Sequence, residues 1–225
     1  MLNQQIRDTI QQFREALPAE LAAKIEQGAG EISALDIIGK ALNVGASVPD
    51  FSLTNQDGAP RKLTDYLAQG PLVLTFYRGL WCPFCNLQLK AYNDRLADIE
   101  ATGAKLVAVT PEKPDALQIL KDGGVPEDFT DMAPDATDFD VLFDDGGDLS
   151  EKFGLQFTLP KVHQELLQNF NIDVEALTGN DRYAFPDPAT YVIDQSGKIT
   201  WAFVPNNYRK RAEVDDILKA LAQLA

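Results

Sequence analysis

The segment Trp81-Cys82-Pro83-Phe84-Cys85 constrains this chain more than any other, because it holds both cysteines and lies where an apolar run gives way to a helical stripe. Ahead of it, Leu72-Val73-Leu74-Thr75-Phe76-Tyr77 is almost wholly apolar or β-branched, the texture of a strand covered on both faces in mid-sheet. Behind it, Cys85, Leu89, Tyr92, Leu96 and Ile99 recur at helical spacing, and Gly103 can close the helix. Such a chain folds as an α/β protein in which a strand, a tight turn and a helix present two thiols at a helix N-terminus.

That position makes thiols reactive. A helix N-terminus offers unsatisfied N–H groups and roughly half a positive charge, which favours a thiolate over a thiol. Pro83 suits the first helical position, where its missing N–H has no partner to lose. Two cysteines three residues apart share the first turn, so a short-ring disulfide can form and open without unfolding the chain. Cys85 continues the apolar stripe while Cys82 lies nearer the loop. Cys85 is therefore expected to be the more buried, with Cys82 the exposed attacking thiolate and Cys85 the resolving thiol. Trp81 either shields the pair and receives substrate or simply packs. Two blander readings compete: inert buried thiols, and a zinc site, for which two cysteines and the single His163 leave too few ligands.

The remainder reads as one α/β domain with a helical extension, the expected boundaries being 1–44 and 45–225. Ile6, Ile10, Phe13 and Leu17 form a stripe that Pro18 stops, Leu21 and Ile25 a second ending at Gly28, and Ile32, Leu35 and Ile38 a third. This extension packs on its own domain or forms a homodimer. A hairpin is expected around Asn55-Gln56-Asp57-Gly58, a strand at Lys105–Thr110, a helix around Ala116–Leu120 and a strand at Val141-Leu142-Phe143. A short helix follows at 149–154, a hairpin spans Ala189–Val204, and Val214 to Leu224 is a final helix. Residues 156–187, with His163, form an insertion without a motif. Between Pro126 and Asp148 the chain is acidic and has no basic side chain, but the spacing of Asp138, Asp140, Asp144, Asp145 and Asp148 does not fit a calcium loop, so solvated carboxylates are expected and no metal. Gly123-Gly124 and Gly146-Gly147 lack the spacing of a phosphate cradle, so no cofactor is expected.

A net charge of −14, from 34 acidic and 20 basic side chains, opposes nucleic acid and anionic membranes as partners. The polar start has no signal-peptide core, and no run is long enough to span a bilayer. The chain reads as cytoplasmic, where a lone cysteine pair is more often catalytic than a structural staple.

Val48-Pro49-Asp50-Phe51-Ser52-Leu53, the run Phe76 to Cys85, and Pro188-Ala189-Thr190-Tyr191-Val192-Ile193-Asp194 together resemble the peroxiredoxin-like proteins of the alkyl hydroperoxide reductase and thiol-specific antioxidant group, within the thioredoxin superfamily. The resemblance implies a thioredoxin-like fold, a mixed central β-sheet flanked by helices. It implies reduction of hydroperoxides, with thioredoxin or glutathione as electron donor. It also implies a cis proline at Pro188 facing the dithiol and freeing the Asp187 backbone for a bound chain. The match is incomplete. In the family's Pro-x-x-x-Thr-x-x-Cys pattern Arg78 stands for the proline, Cys82 for the threonine and Cys85 for the peroxidatic cysteine, while Pro188 occupies the place of a distant arginine. Arg78, close in sequence to both thiols, could lower a thiolate pKa or hold a peroxide oxygen. Three readings stay open: a thiol peroxidase, a thioredoxin-like reductase of protein or small-molecule disulfides, and a non-enzymatic redox-sensing module.

Overall fold

The computed structural model describes residues 1–134 and 136–224. In chain order the elements are α1 (Leu2–Ala16), α2 (Ala19–Ser33), β1 (Ser52–Asn55), β2 (Pro60–Lys62), α3 (Leu63–Leu67), β3 (Leu72–Phe76), α4 (Pro83–Asp94), α5 (Leu96–Glu100), β4 (Lys105–Thr110), α6 (Ala116–Asp122), α7 (Glu127–Thr130), β5 (Asp140–Phe143), α8 (Asp148–Lys152), β6 (Gln156–Thr158), α9 (Lys161–Asn169), α10 (Val174–Thr178), β7 (Ala184–Pro186), β8 (Thr190–Ile193), β9 (Ile199–Phe203) and α11 (Val214–Leu221). Seven strands form one mixed sheet in the order β2-β1-β5-β4-β3-β8-β9. β3 runs parallel to β4, with Leu72 opposite Lys105, and antiparallel to β8, with Leu72 opposite Ile193. This is the thioredoxin-like arrangement expected of the chain.

The unbroken apolar run explains why β3 sits at the centre: Leu72, Val73, Leu74, Thr75 and Phe76 are all fully buried. Val73 points with Leu106, Ala108 and Val192 into the core that contains Cys85, Leu89 and Tyr92 of α4. Leu72, Leu74 and Phe76 point the other way, among Val107, Val109, Phe153 and Tyr191. Each such fully buried side chain stabilises the fold by roughly 1.5–3 kcal/mol, before the entropy of ordering is subtracted.

Three expectations change. The second helix does not stop at Gly28; α2 continues to Ser33, and residues 34–44 form turns rather than a third helix. Gly28 marks a close crossing instead, because a Cβ there would overlap the His163 imidazole of α9. Second, the insertion at 156–187 is structured. β6 and β7 pair antiparallel with Phe157 opposite Phe185, and α9 lies against α2. Third, two of the acidic residues expected in solvent are tied into the fold. Asp140 accepts hydrogen bonds from Asn55 (2.7 Å), Arg61 (2.9 Å) and Tyr66 (2.6 Å). Asp144 accepts the N–H groups of Leu149 and Ser150 at 2.8 Å each and so caps α8. Among the described residues no helix is long and apolar enough to cross a membrane.

Candidate active site

β3 delivers the chain to a six-residue turn, and α4 begins with Cys82 as its N-cap and Pro83 in its first turn. The Cys82 carbonyl accepts the N–H groups of Cys85 (2.9 Å) and Asn86 (3.1 Å), which closes the first turn and holds the two cysteines together. Gly79 has φ +151°, and a Cβ on it would press on Glu112 Oε1 and Trp81 Nε1. That turn therefore requires glycine.

Both cysteines are free thiols with 0% exposure. The expected contrast between an exposed Cys82 and a buried Cys85 is absent, because both belong to one buried cluster with Ile6 of the arm, Trp81, Phe84 and Tyr208. Their partners set them apart. Arg78 Nη2 donates to Cys82 Sγ at 3.2 Å, and Arg211 Nη2 donates to Cys85 Sγ at 3.1 Å. Arg78 is buried between the rings of Trp81, 4.8 Å from its guanidinium carbon, and Tyr208, at 4.2 Å. Arg211, 1% exposed, donates through Nη1 to the carbonyls of Tyr208 (2.7 Å) and Lys210 (2.8 Å).

A buried guanidinium is costly unless an anion faces it. Among the described residues neither Arg78 nor Arg211 forms a salt bridge with a carboxylate; sulfur is the only side-chain acceptor of each. The electrostatics follow from this. Burial opposes ionisation of Cys82, but a hydrogen bond from Cys85 and the charges of Arg78 and Arg211 hold its thiol well below the ordinary range. Burial, with the hydrogen bond and charge of Cys82, pushes the Cys85 thiol well above it. The two arginines thus favour the thiolate at Cys82, and the proton of the pair is favoured on Cys85.

Two carboxylates complete the surroundings. Glu112, buried, accepts the Leu80 N–H at 2.7 Å, and burial pushes its pKa up to about 8. Asp187, fully buried, accepts the Asn206 N–H at 2.9 Å and is pushed by burial up to about 6. A groove of about 830 Å³ reaches this region through Tyr77, Leu80 and Glu112, and neither cysteine lines it.

The remaining expected residues divide. Trp81 packs edge-on to Phe185 with ring centres 5.1 Å apart, and Pro83 occupies the first turn as expected. The peptide bond before Pro188 is trans, and the Asp187 N–H is bonded to the Leu155 carbonyl at 2.9 Å. Pro188 is buried, and the expected role in freeing the preceding backbone fails at the Asp187 N–H, which Leu155 already occupies. Sequence reasoning missed Arg211, Tyr208 and Glu112, and it named Asp187 for its backbone rather than for its carboxylate. The basic run Arg209-Lys210-Arg211 in an otherwise acidic chain was the one available signal for the first, and nothing in it distinguishes Arg211 from its neighbours.

The model of the AhpC/TSA family matches residues 44–202. The thiol-disulfide oxidoreductase ResA of Geobacillus thermodenitrificans is 26% identical over 160 residues, 71% of this chain and 68% of that one. Peroxiredoxin Bcp of Escherichia coli K12 is 27% identical over 114 residues, 51% of this chain and 65% of that one. Among solved structures, peroxidoxin BcpB of Mycobacterium tuberculosis superposes with a TM-score of 0.58 at 22% identity, covering 82% of this chain and 99% of that one.

Proposed function

The chain belongs to the AhpC/TSA family and is a thiol-based antioxidant oxidoreductase; from that premise we propose that it reduces hydroperoxides through Cys82 and Cys85, residues 45–225 forming the thioredoxin-like domain. The observation that carries this reading is the contact of Arg78 with Cys82 Sγ, which makes a buried thiolate at the residue that stands for threonine in the family pattern. The Cys82 thiolate attacks one peroxide oxygen, the O–O bond breaks, and the departing alkoxide or hydroxide takes a proton from solvent and leaves as alcohol or water while Cys82 becomes a sulfenic acid. Cys85 then attacks the Cys82 sulfur, its proton leaves with the hydroxyl as water, and a disulfide forms. A dithiol donor of the thioredoxin type, or two molecules of glutathione, supplies two electrons and two protons, of which one returns to Cys85 and the other replaces the proton that solvent gave to the departing alcohol or water. The position matching the family's peroxidatic cysteine is Cys85, so the assignment to Cys82 rests on electrostatics.

The second reading, reduction of disulfides, is favoured by the Cys-Pro-Phe-Cys spacing and the ResA likeness. Against it, Phe84 is buried and lines a small apolar pocket with Ile10, Phe13, Leu17 and Ile25 of the arm, and the Asp187 N–H already has a partner. A small peroxide needs less of an opening than a protein disulfide. The acidic composition and the family likeness support a cytoplasmic setting, and the contacts of α1 with α4 and of α2 with α9 support the reading in which the arm packs on its own domain rather than forming a homodimer.

Stopped-flow tryptophan fluorescence of the reduced protein, mixed with hydrogen peroxide or with oxidised glutathione, tests the proposal. Oxidation by peroxide far faster than that of an ordinary thiolate is expected, abolished by Cys82→Ser and stalled at the sulfenic acid by Cys85→Ser. Rapid reaction with the disulfide alone would sink the peroxidase reading.

A further inference from the structure

We infer that Asn3, at the start of the N-terminal arm, is a positioning residue for the dithiol: it grips the backbone of Arg211 so that the guanidinium stays on Cys85 Sγ. The inference rests on reading Cys82 and Cys85 as the redox pair. Asn3 Oδ1 accepts the Arg211 N–H at 3.0 Å, and Asn3 Nδ2 donates to the Arg211 carbonyl at 2.8 Å. One side chain thus satisfies both polar groups of one residue's backbone, as a neighbouring strand would.

The grip is anchored on both sides. Glu213 accepts the N–H groups of Leu2 and Asn3 at 2.8 Å each and Asn3 Nδ2 at 2.8 Å. It caps α1, whose own N-cap, Met1, supplies no side-chain bond. Across from Asn3, the Ala212 carbonyl accepts the Tyr92 hydroxyl of α4 at 3.0 Å. Residues 211–213 are therefore pinned between the arm and the helix that carries Cys85. No regular secondary structure holds the chain between β9 and α11, so these side-chain bonds do so. With Nη1 of Arg211 fixed on two carbonyls, Nη2 is left for the sulfur, and an ångström of backbone drift would take it out of hydrogen-bonding range.

The test is a pH titration of thiolate ultraviolet absorbance in the reduced full-length protein, for wild type, Asn3→Ala, Arg211→Met and the double variant. This readout requires no reagent to reach the sealed thiols. Asn3→Ala is expected to move the titration to higher pH, in the direction of Arg211→Met, and the double variant to move no further than Arg211→Met alone. A purely structural contact would lower the melting temperature and leave the titration in place. An unmoved titration, or shifts that add, overturns the inference. Should Asn3→Ala fail to fold, Asn3→Asp keeps an acceptor for the Arg211 N–H while losing the donor to its carbonyl, and the same comparison applies. Absence of any thiolate at neutral pH in the wild type would instead sink the redox-pair reading itself.

Discussion

At the scale of single residues, the site is a balance of buried charges, and two substitutions probe it. Removing the Arg78 cation takes away an opposite charge beside Cys82, so Arg78→Met should slow peroxide oxidation at pH 7 by about ten-fold or more. The sign follows from the lowered thiol: activity is present above its pKa and lost as pH falls through it, so Arg78→Met moves the loss to higher pH. Glu112 behaves in the opposite sense. Its pKa rises from an ordinary 4.5 to about 8 on folding, so between those values the folded protein holds a proton that the unfolded chain has released. Stability therefore falls as pH climbs through that window. Glu112→Gln keeps an acceptor for the Leu80 N–H and has no proton to lose. We expect its urea midpoint to match wild type near pH 5 and exceed it near pH 8; equal midpoints at both would show that Glu112 is not buried as described.

At the scale of elements, the crossing of α2 and α9 depends on Gly28. A Cβ there overlaps His163, whose ring also packs edge-on to Tyr208 at 5.4 Å. Gly28→Ala should cost about 1–3 kcal/mol by overpacking, although alanine is the better helix former by nearly 1 kcal/mol. Denaturant unfolding measures the difference, and a stabilised variant would mean that the helices separate freely. The same glycine shows what the sequence did and did not carry. Periodicity identified β3, the final hairpin and α11, because their patterns are local and long, and it found the helix after the cysteines but ran it unbroken to Gly103, where the structure divides it at Arg95 into α4 and α5. It misread Gly28 as a stop, since a helical glycine and a terminal one look alike until the partner helix is known. The three-residue strands β6 and β7 were invisible because their pairing, Gln156 opposite Pro186, is their only signature. At the site, Cys82, Cys85 and Pro83 were legible from one pentapeptide. Arg211 was not, because its contact with Cys85 spans 126 residues and the arm residue that secures it is at position 3.

At the scale of the whole molecule, the arm, the segment 206–213 and the dithiol form one charge-coupled unit. Asn206 donates to the carbonyls of Ser33 (2.9 Å) and Leu35 (2.7 Å), Arg209 pairs with Glu26 at 2.9 Å, and Asn3 holds Arg211. Tyr208, in the middle of that segment, covers Arg78 and packs against Phe84. All of this is assembled around the dithiol, where the two arginine charges favour a thiolate at Cys82. Oxidation to the disulfide removes that charge and leaves two buried guanidinium groups facing neutral sulfurs, the situation that costs about 3–5 kcal/mol when one partner of a buried pair is deleted. The Asp187 carboxylate feels both arginines but forms no salt bridge with either, so further relief comes from water, which can enter only if the covering segment loosens. Hydrogen exchange should therefore be faster in the oxidised protein at the amides of Leu2, Asn3, Asn206 and Arg211, with β3 and β4 unchanged. This loosening would also open the path that a thiol donor needs to reach a disulfide sealed at 0% exposure. Equal or slower exchange on oxidation would mean that Asp187 and Glu112 neutralise the arginines on their own, and the donor would then have to reach the disulfide through the groove beside Glu112.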